Sequence, residues 1–251
     1  MKGLILSIFL FLAGCGIQSN NGTYKIGIDP TWYPLQMEGK DAQVMAFSNE
    51  ILQEIAKTEK LELKTTRVSW DNIESGLIKK QYDAMLSSKQ PYNFYEKQFG
   101  FSDPYLMTGP VLLVPTNASF QGMQGLEIGV IERSSDIALL EKTPGIILRT
   151  YESIPQMLND VVAGHIAGGV IHVLMAESYT QDLYQGKLKI ATPPLDDEGI
   201  RVVTLFSQNN DLINYFNDGL KELKKSGKYL NLLQKWGLDG SEKASIKGSS
   251  L

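Results

Sequence analysis

The sequence predicts an α/β protein made of two α/β lobes joined by a two-strand hinge. From residue 24 onward, short runs rich in β-branched residues alternate with stretches whose apolar residues recur at helical spacing. This alternation occurs in two similar blocks. The blocks join near residues 111–116 and again near 192–198, which indicates two crossings of the chain between the lobes.

The first block alternates strands and helices up to the first crossing. In the stretch 47–58, Phe47, Ile51 and Ile55 recur every four residues and form one apolar face, which predicts a helix. Residues 61–68 alternate between apolar and polar side chains, as a half-buried strand does. The predicted elements of this block are strands at 24–28, 61–68, 83–86 and 111–114, and helices at 47–58 and 70–80.

The second block repeats this order, and two helices close the chain. Its predicted strands are 127–131, 146–149, 168–171, 188–191 and 201–206, and its predicted helices are 134–140, 154–163, 172–179, 211–226 and 228–236. These elements place lobe 1 at 24–112 and 198–238 and lobe 2 at 113–197, with a disordered tail at 239–251. A cleft between two lobes is a favoured place for a ligand.

The N-terminus predicts a lipid anchor. Lys2 precedes a mostly apolar run at 4–13, which is too short to cross a membrane because about 20 residues are needed. The run ends in Leu12-Ala13-Gly14-Cys15, which resembles the lipobox of bacterial lipoproteins. This resemblance implies a signal peptide at 1–14, acyl chains such as palmitate on Cys15, a flexible tether at 15–23 and an extracytoplasmic, membrane-anchored location. The alternative is an uncleaved apolar N-terminus with an incidental cysteine.

Composition excludes several other classes of function. The formal net charge is -4 and no dense basic run occurs, so the chain lacks the electrostatic footprint of a nucleic-acid-binding protein. Cys15 is the single cysteine, which excludes disulfides and cysteine-rich metal sites. With only His165 and His172 and no acidic cluster at ligand spacing, neither a metal nor a cofactor is expected.

Several short motifs stand in the order and spacing found in one protein family. They are Ile28-Asp29-Pro30 with Trp32-Tyr33-Pro34-Leu35, Ser69-Trp70-Asp71, Phe101-Ser102-Asp103-Pro104-Tyr105, Ala163-Gly164 and Lys235-Trp236-Gly237. Over residues 24–238 the chain resembles the family 3 extracellular solute-binding proteins. The resemblance implies a periplasmic-binding-protein-like fold and a monomer that is not an enzyme. Such a protein captures a small polar solute, an amino acid or a derivative, by hinge closure and delivers it to an ABC permease.

The resemblance also implies which residues contact the ligand. Trp32 and Trp70 lie at strand-to-helix junctions, where an aromatic ring either stacks on a ligand or belongs to the core. Ser87 and Ser88 follow a strand, at a position where family members bind the ligand. Ser135 begins a helix, where a hydroxyl either binds the ligand carboxylate or caps the helix.

Two positions depart from the family pattern. Tyr95 stands where family members carry the arginine that binds the ligand carboxylate, and His172 stands where they carry the acid that binds the ammonium group. Neither a phenol nor a neutral imidazole supplies the missing charge. Lys89, Glu132 and Arg133 are nearby replacements, or else solvated surface charges.

Two other functions remain open at this point. One is a surface lipoprotein that senses a ligand without a permease. The other is an enzyme resembling the cyclohexadienyl dehydratases of this fold, for which His172 or a cleft carboxylate would be the general acid. The sequence offers no Ser/His/Asp grouping and no phosphate-binding loop, so we assign no catalytic residue.

Overall fold

The computed structural model describes residues 22–240 and 242. The predicted signal peptide at 1–14, the lipidation of Cys15, most of the tether at 15–23 and most of the tail at 239–251 lie outside these residues. Within the described part, no helix is both long and apolar enough to span a membrane.

The described residues form strands and helices in the predicted α/β order. The elements are β1 (Gly22–Ile28), α1 (Asp41–Glu59), β2 (Leu61–Arg67), α2 (Trp70–Ile78), β3 (Ala84–Ser87), β4 (Phe99–Phe101), β5 (Leu106–Met107), β6 (Pro110–Pro115), β7 (Glu127–Ile131), α3 (Asp136–Leu140), β8 (Ile147–Tyr151), α4 (Ile154–Ala163), β9 (Gly168–His172), α5 (Val173–Gln181), β10 (Leu188–Ile190), β11 (Gly199–Leu205), α6 (Asn210–Lys225) and α7 (Lys228–Trp236).

The strands pair into two sheets, which confirms the predicted fold class. The first sheet has the order β2-β1-β3-β11-β4, with β5 added to β11, and the second has the order β10-β6-β9-β7-β8. In the first sheet, β1 runs parallel to β2 and β3, whereas β11 runs antiparallel to β3, β4 and β5. The first sheet is therefore completed by a strand from late in the chain.

Helix α1 covers the first sheet with one apolar face. Phe47, Ile51 and Ile55 are fully buried at four-residue spacing, as the sequence pattern predicted. Phe47 contacts the rings of Tyr105 and Tyr229 at centroid distances of 6.2 and 6.0 Å. These contacts join α1 to α7 and to the loop before β5.

Helix α4 covers the second sheet and shows how local sequence sets the limits of a helix. It begins after Ser153 with Pro155 in its first turn, where a missing N–H costs nothing. It ends at Gly164, whose φ of 76° lies in the left-handed region that glycine adopts without strain. Met157 and Leu158 are fully buried between these ends.

The two sheets are connected by two chain segments that lie side by side. Residues 108–109 lead from β5 to β6, and residues 191–198 lead from β10 to β11. The amides of Thr108 and Gly109 donate to the carbonyl of Glu198 at 2.9 and 3.3 Å, and the Leu195 amide donates to the Pro110 carbonyl at 2.8 Å. The first connection thus precedes the predicted 111–116, because β6 belongs wholly to the second sheet.

A buried ionic contact joins the start of α1 to α5. The Lys40 ammonium lies 3.6 Å from Glu177 Oε2 and donates to the Gly237 carbonyl at 3.0 Å. Glu177 Oε1 accepts the Gly240 amide at 2.8 Å, whereas Oε2 has no hydrogen-bond partner among the described residues. Burial raises the pKa of Glu177 to about 7, although the Lys40 charge acts against that shift.

Candidate functional site

Two adjoining cavities lie between the sheets at the crossing segments. The first-sheet cavity, of about 590 Å³, is lined chiefly by residues of α2 and of the loop after β3. The second-sheet cavity, of about 320 Å³, is lined chiefly by residues of β9 and at the starts of α3, α4 and α5. Both cavities share Pro34, Leu35, Thr108 and His172. They therefore form the two sides of one cleft, and both volumes suit a small ligand.

His172 is the last residue of β9 and lies where the second sheet adjoins the two crossing segments. Its Nδ1 lies 3.1 Å from the Thr108 carbonyl, and since a carbonyl only accepts, Nδ1 carries the hydrogen. Nε2 then faces Asp136 Oδ1 at 3.5 Å, and Nδ1 lies 3.9 Å from Glu198 Oε2. The contact with Asp136 raises the pKa of His172, although burial acts against it.

The acids around His172 lie in unlike environments. Burial opposes the ionisation of Asp136, but its contacts with His172 and Ser134 outweigh burial and lower its pKa. Burial raises the pKa of Asp196 and Glu198, and the charges of neighbouring carboxylates add to this effect. The crossing therefore carries more acid groups than His172 can neutralise.

The opposite wall of the cleft carries a lysine. Ser87 ends β3, and Ser88 and Lys89 follow it; all three line the first-sheet cavity, where the Ser87 hydroxyl accepts the Lys89 amide at 3.1 Å. The Lys89 ammonium lies 3.0 Å from Glu74 Oε2 and 3.6 Å from the centre of the Tyr95 ring. Lys89 thus places a cation against the residue that stands where the family arginine was expected.

The two tryptophans predicted to line the cleft differ in position. Trp70 is 46% exposed, lines the first-sheet cavity and packs edge-on against Tyr33 at a centroid distance of 4.7 Å. Trp32 is 4% exposed and belongs to the core, and it lines neither cavity of the cleft. Its φ of 56° lies in the left-handed region, and Pro34 and Leu35, which follow in the chain, line both cavities.

The start of α3 presents a different set of residues from the one expected. Ser134 and Asp136 line the second-sheet cavity, whereas Ser135 is exposed and lines neither cavity. The Ser134 hydroxyl accepts the Asp136 amide at 3.0 Å, a local turn that brings Asp136 inward. Arg133 and Glu132 face each other at 3.9 Å on the surface and line neither cavity.

Sequence reasoning missed the acids that surround His172. Glu198 belongs to the second crossing and Asp136 to the start of α3, so both are distant from His172 in the chain. The signal for Glu198 was present as the run Asp196-Asp197-Glu198 inside the predicted crossing at 192–198. Asp136 follows Ser135 directly and had no distinguishing pattern.

Comparison with known proteins identifies relatives over nearly the whole chain. The family model for bacterial extracellular solute-binding proteins, family 3, matches residues 24–239. The L-cystine-binding protein TcyJ of Escherichia coli K12 is 25% identical over 221 residues, which cover 86% of this chain and 82% of that protein. The arginine-binding extracellular protein ArtP of Bacillus subtilis is 22% identical over 90% of this chain and 92% of its own length. The histidine-binding periplasmic protein of Escherichia coli K12 is 23% identical over 94% of this chain and 97% of that protein.

Solved structures show the same fold. The L-cystine solute receptor of Neisseria gonorrhoeae, in an unliganded open conformation, matches with a TM-score of 0.66 at 19% identity, over 88% of this chain and 96% of that one. The second substrate-binding domain of a putative amino acid ABC transporter from Streptococcus pneumoniae matches with a TM-score of 0.63 at 21% identity, over 85% and 99% of the two chains. Together with the family match over residues 24–239, these findings show that the chain belongs to the bacterial extracellular solute-binding proteins, family 3.

Proposed function

We propose that this protein is the substrate-capture subunit of an amino-acid ABC importer, held outside the cytoplasm by lipid on Cys15. Membership of family 3 and the names of the relatives support the general role. The L-cystine-, arginine- and histidine-binding relatives make these three amino acids the first candidate ligands.

The observation that carries the proposal is that the cleft offers a cation and a group of acids at two separate places, with Glu74 on the first-sheet wall paired with Lys89 at 3.0 Å. Lys89 lies on the first-sheet wall, and Asp136 and Glu198 lie beside His172 at the other end of the cleft. A zwitterionic amino acid needs one cation for its carboxylate and one acid for its ammonium group. We assign the carboxylate to Lys89 with Ser87 and Ser88, and the ammonium group to Asp136 and Glu198.

Capture then requires the walls to approach each other. The two crossing segments are the only covalent connections between the sheets within residues 22–240, so rotation about them changes the width of the cleft. A ligand bound to both walls stabilises the narrow state by its interactions with both. Trp70 and Tyr95 flank the first-sheet wall and would cover the ligand from that side.

Thermal unfolding with a panel of amino acids tests this function. At a ligand concentration one hundred times Kd, binding adds about 2.7 kcal/mol to the free energy of unfolding. For a chain of this size that corresponds to a rise in Tm of roughly 5–10 °C. We expect such a rise with at least one amino acid of a panel that contains L-cystine, arginine and histidine together with aliphatic and thioether amino acids, and a loss of the rise in Asp136→Asn. Exposed Glu132→Gln, on the same loop, is the matched control.

Two further measurements separate the alternatives. Consumption of prephenate or arogenate by the purified protein would contradict a capture role and support the dehydratase hypothesis. A ligand that binds but is not taken up by cells, with or without this protein, would support the sensing lipoprotein. Loss of membrane association and of metabolic palmitate labelling in Cys15→Ser tests the anchor.

A further inference from the structure

The second-sheet cavity is an extension of the cleft whose charged lining groups are Asp136 and His172. It adjoins the first-sheet cavity through Leu35, Thr108 and His172, and it has a volume of about 320 Å³ of its own. An amino-acid head group placed between Lys89 and the His172 acids occupies the region where the two cavities meet. The second-sheet cavity therefore remains for the rest of the ligand.

The wall of this cavity is mainly apolar. Its aliphatic and thioether side chains come from five separate segments of the chain: Leu35, Ile131, Ile154, Ile171, Leu174 and Met175. The charged lining groups, Asp136 and His172, contact each other and leave the rest of the wall without charge. The other polar lining groups, Gln36, Thr108 and Ser134, are neutral, so a charged group deeper in this cavity would lose its hydration without a countercharge of its own.

From this arrangement we propose that the ligand carries an aliphatic or thioether side chain, which enters the second-sheet cavity while the head group binds at the charged cleft. The inference rests on the proposed function, because it assumes that an amino-acid head group binds between the two walls. Continuity of the two cavities through His172 makes the side chain of the same ligand the occupant. Met175 adds a flexible, polarisable wall that adapts to unbranched chains.

Calorimetric titration of the full-length chain with a homologous series tests the proposal. The series is glycine, alanine, norvaline and norleucine, with methionine as the thioether and glutamine as a polar side chain of similar length. Each buried methylene should improve affinity about fourfold. Methionine should bind much as norleucine does, and glutamine should bind no better than alanine.

Variants of the cavity wall connect the effect to this site. Ile154→Thr places a hydroxyl in the wall and should reduce the affinity for norleucine at least fivefold while leaving that for glycine within twofold. Ile131→Thr, at the end of β7, is a second variant whose β-branched shape suits a strand. Ile147→Thr is the matched control, because Ile147 lies on β8 of the same sheet and is exposed.

The possible outcomes distinguish this inference from the proposed function on which it rests. Equal affinities along the series, or binding confined to arginine, histidine or L-cystine, would contradict the proposal that the ligand has an apolar side chain. Either result would leave the proposed amino-acid capture intact. A length dependence that Ile154→Thr and Ile131→Thr leave unchanged would overturn the assignment to this cavity. Binding of none of these compounds would overturn the proposed function itself.

Discussion

Glu177 predicts a specific pH dependence of stability. Its pKa is raised from 4.5 to about 7 in the folded protein, chiefly by burial. Between these values the folded state holds a proton that the unfolded state has lost, so the free energy of unfolding should fall as pH rises. The stabilisation is complete below about pH 4.5 and is lost as pH rises through about 7. At 1.36 kcal/mol per pKa unit, the full difference is about 3 kcal/mol.

Urea unfolding of the wild type and of Glu177→Gln at about pH 5 and pH 8 measures this effect. Glutamine keeps an acceptor for the Gly240 amide but does not titrate. The two proteins share every other titrating group, so the difference between their pH dependences isolates Glu177. We expect the wild type to lose about 2–3 kcal/mol more than the variant between the two pH values.

A matched control shows whether burial is the cause. Glu50 lies on the surface with Lys235 and Trp236, and its bond with Lys235 lowers its pKa, so its titration falls below this pH window. Glu50→Gln should therefore leave the difference between pH 5 and pH 8 unchanged. If Glu177→Gln shows the same pH dependence as the wild type, the assignment of a raised pKa to the buried contact is wrong.

Three more predictions concern the cleft and the core. The pKa of His172 lies above its ordinary value, and ligand affinity should weaken as pH falls through it, because the imidazolium then competes with the ligand ammonium group for the acids. Binding titrations from pH 8 to 5.5 should show this loss of affinity, and His172→Gln should give a flat profile. Lys89→Met should weaken amino-acid binding by roughly ten- to a hundredfold in calorimetry, since it removes a charged hydrogen bond, and equal affinity would contradict a role in binding the carboxylate. Ser48→Ala should lower the free energy of unfolding by about 1–3 kcal/mol, because it leaves the Tyr105 hydroxyl buried without a partner. Tyr105→Phe should lower it by only about 0.5–1.5 kcal/mol, because Ser48 still donates to the Val44 carbonyl. Urea unfolding of both variants compares the two losses.

Elements with a complete local signal were predicted correctly from the sequence. Helix α4 has both its proline-containing start and its glycine end, and strand β7 has five residues between loops; both have the predicted bounds. Helix α1 begins at Asp41, six residues before the predicted start, and buried Val44, three residues before Phe47, continues its apolar face into the turn that the prediction left out. Strands β4 and β5 are too short to show alternation and form only through pairing with β11.

The candidate site was predictable only in part. Five of the predicted ligand contacts line the cleft, and their contact with a ligand stays a prediction: Trp70, Ser87, Ser88, Tyr95 and His172. Lys89 is near Tyr95 in the chain and was recognisable as a replacement cation, and its contact with a ligand stays a prediction. Asp136 and Glu198 come from segments distant from His172, so their proximity to it depends on the tertiary structure.

The position of β11 determines the order in which the fold can be assembled. All five strands of the second sheet lie between residues 110 and 190, so that sheet needs nothing from the rest of the chain for its strand pairing. The first sheet has no neighbour for β4 or β5 until residues 199–205 become available. A chain that is synthesised from its N-terminus can therefore complete the second sheet before the first sheet. The cleft, which needs both walls, cannot be complete before residues 199–205 are available.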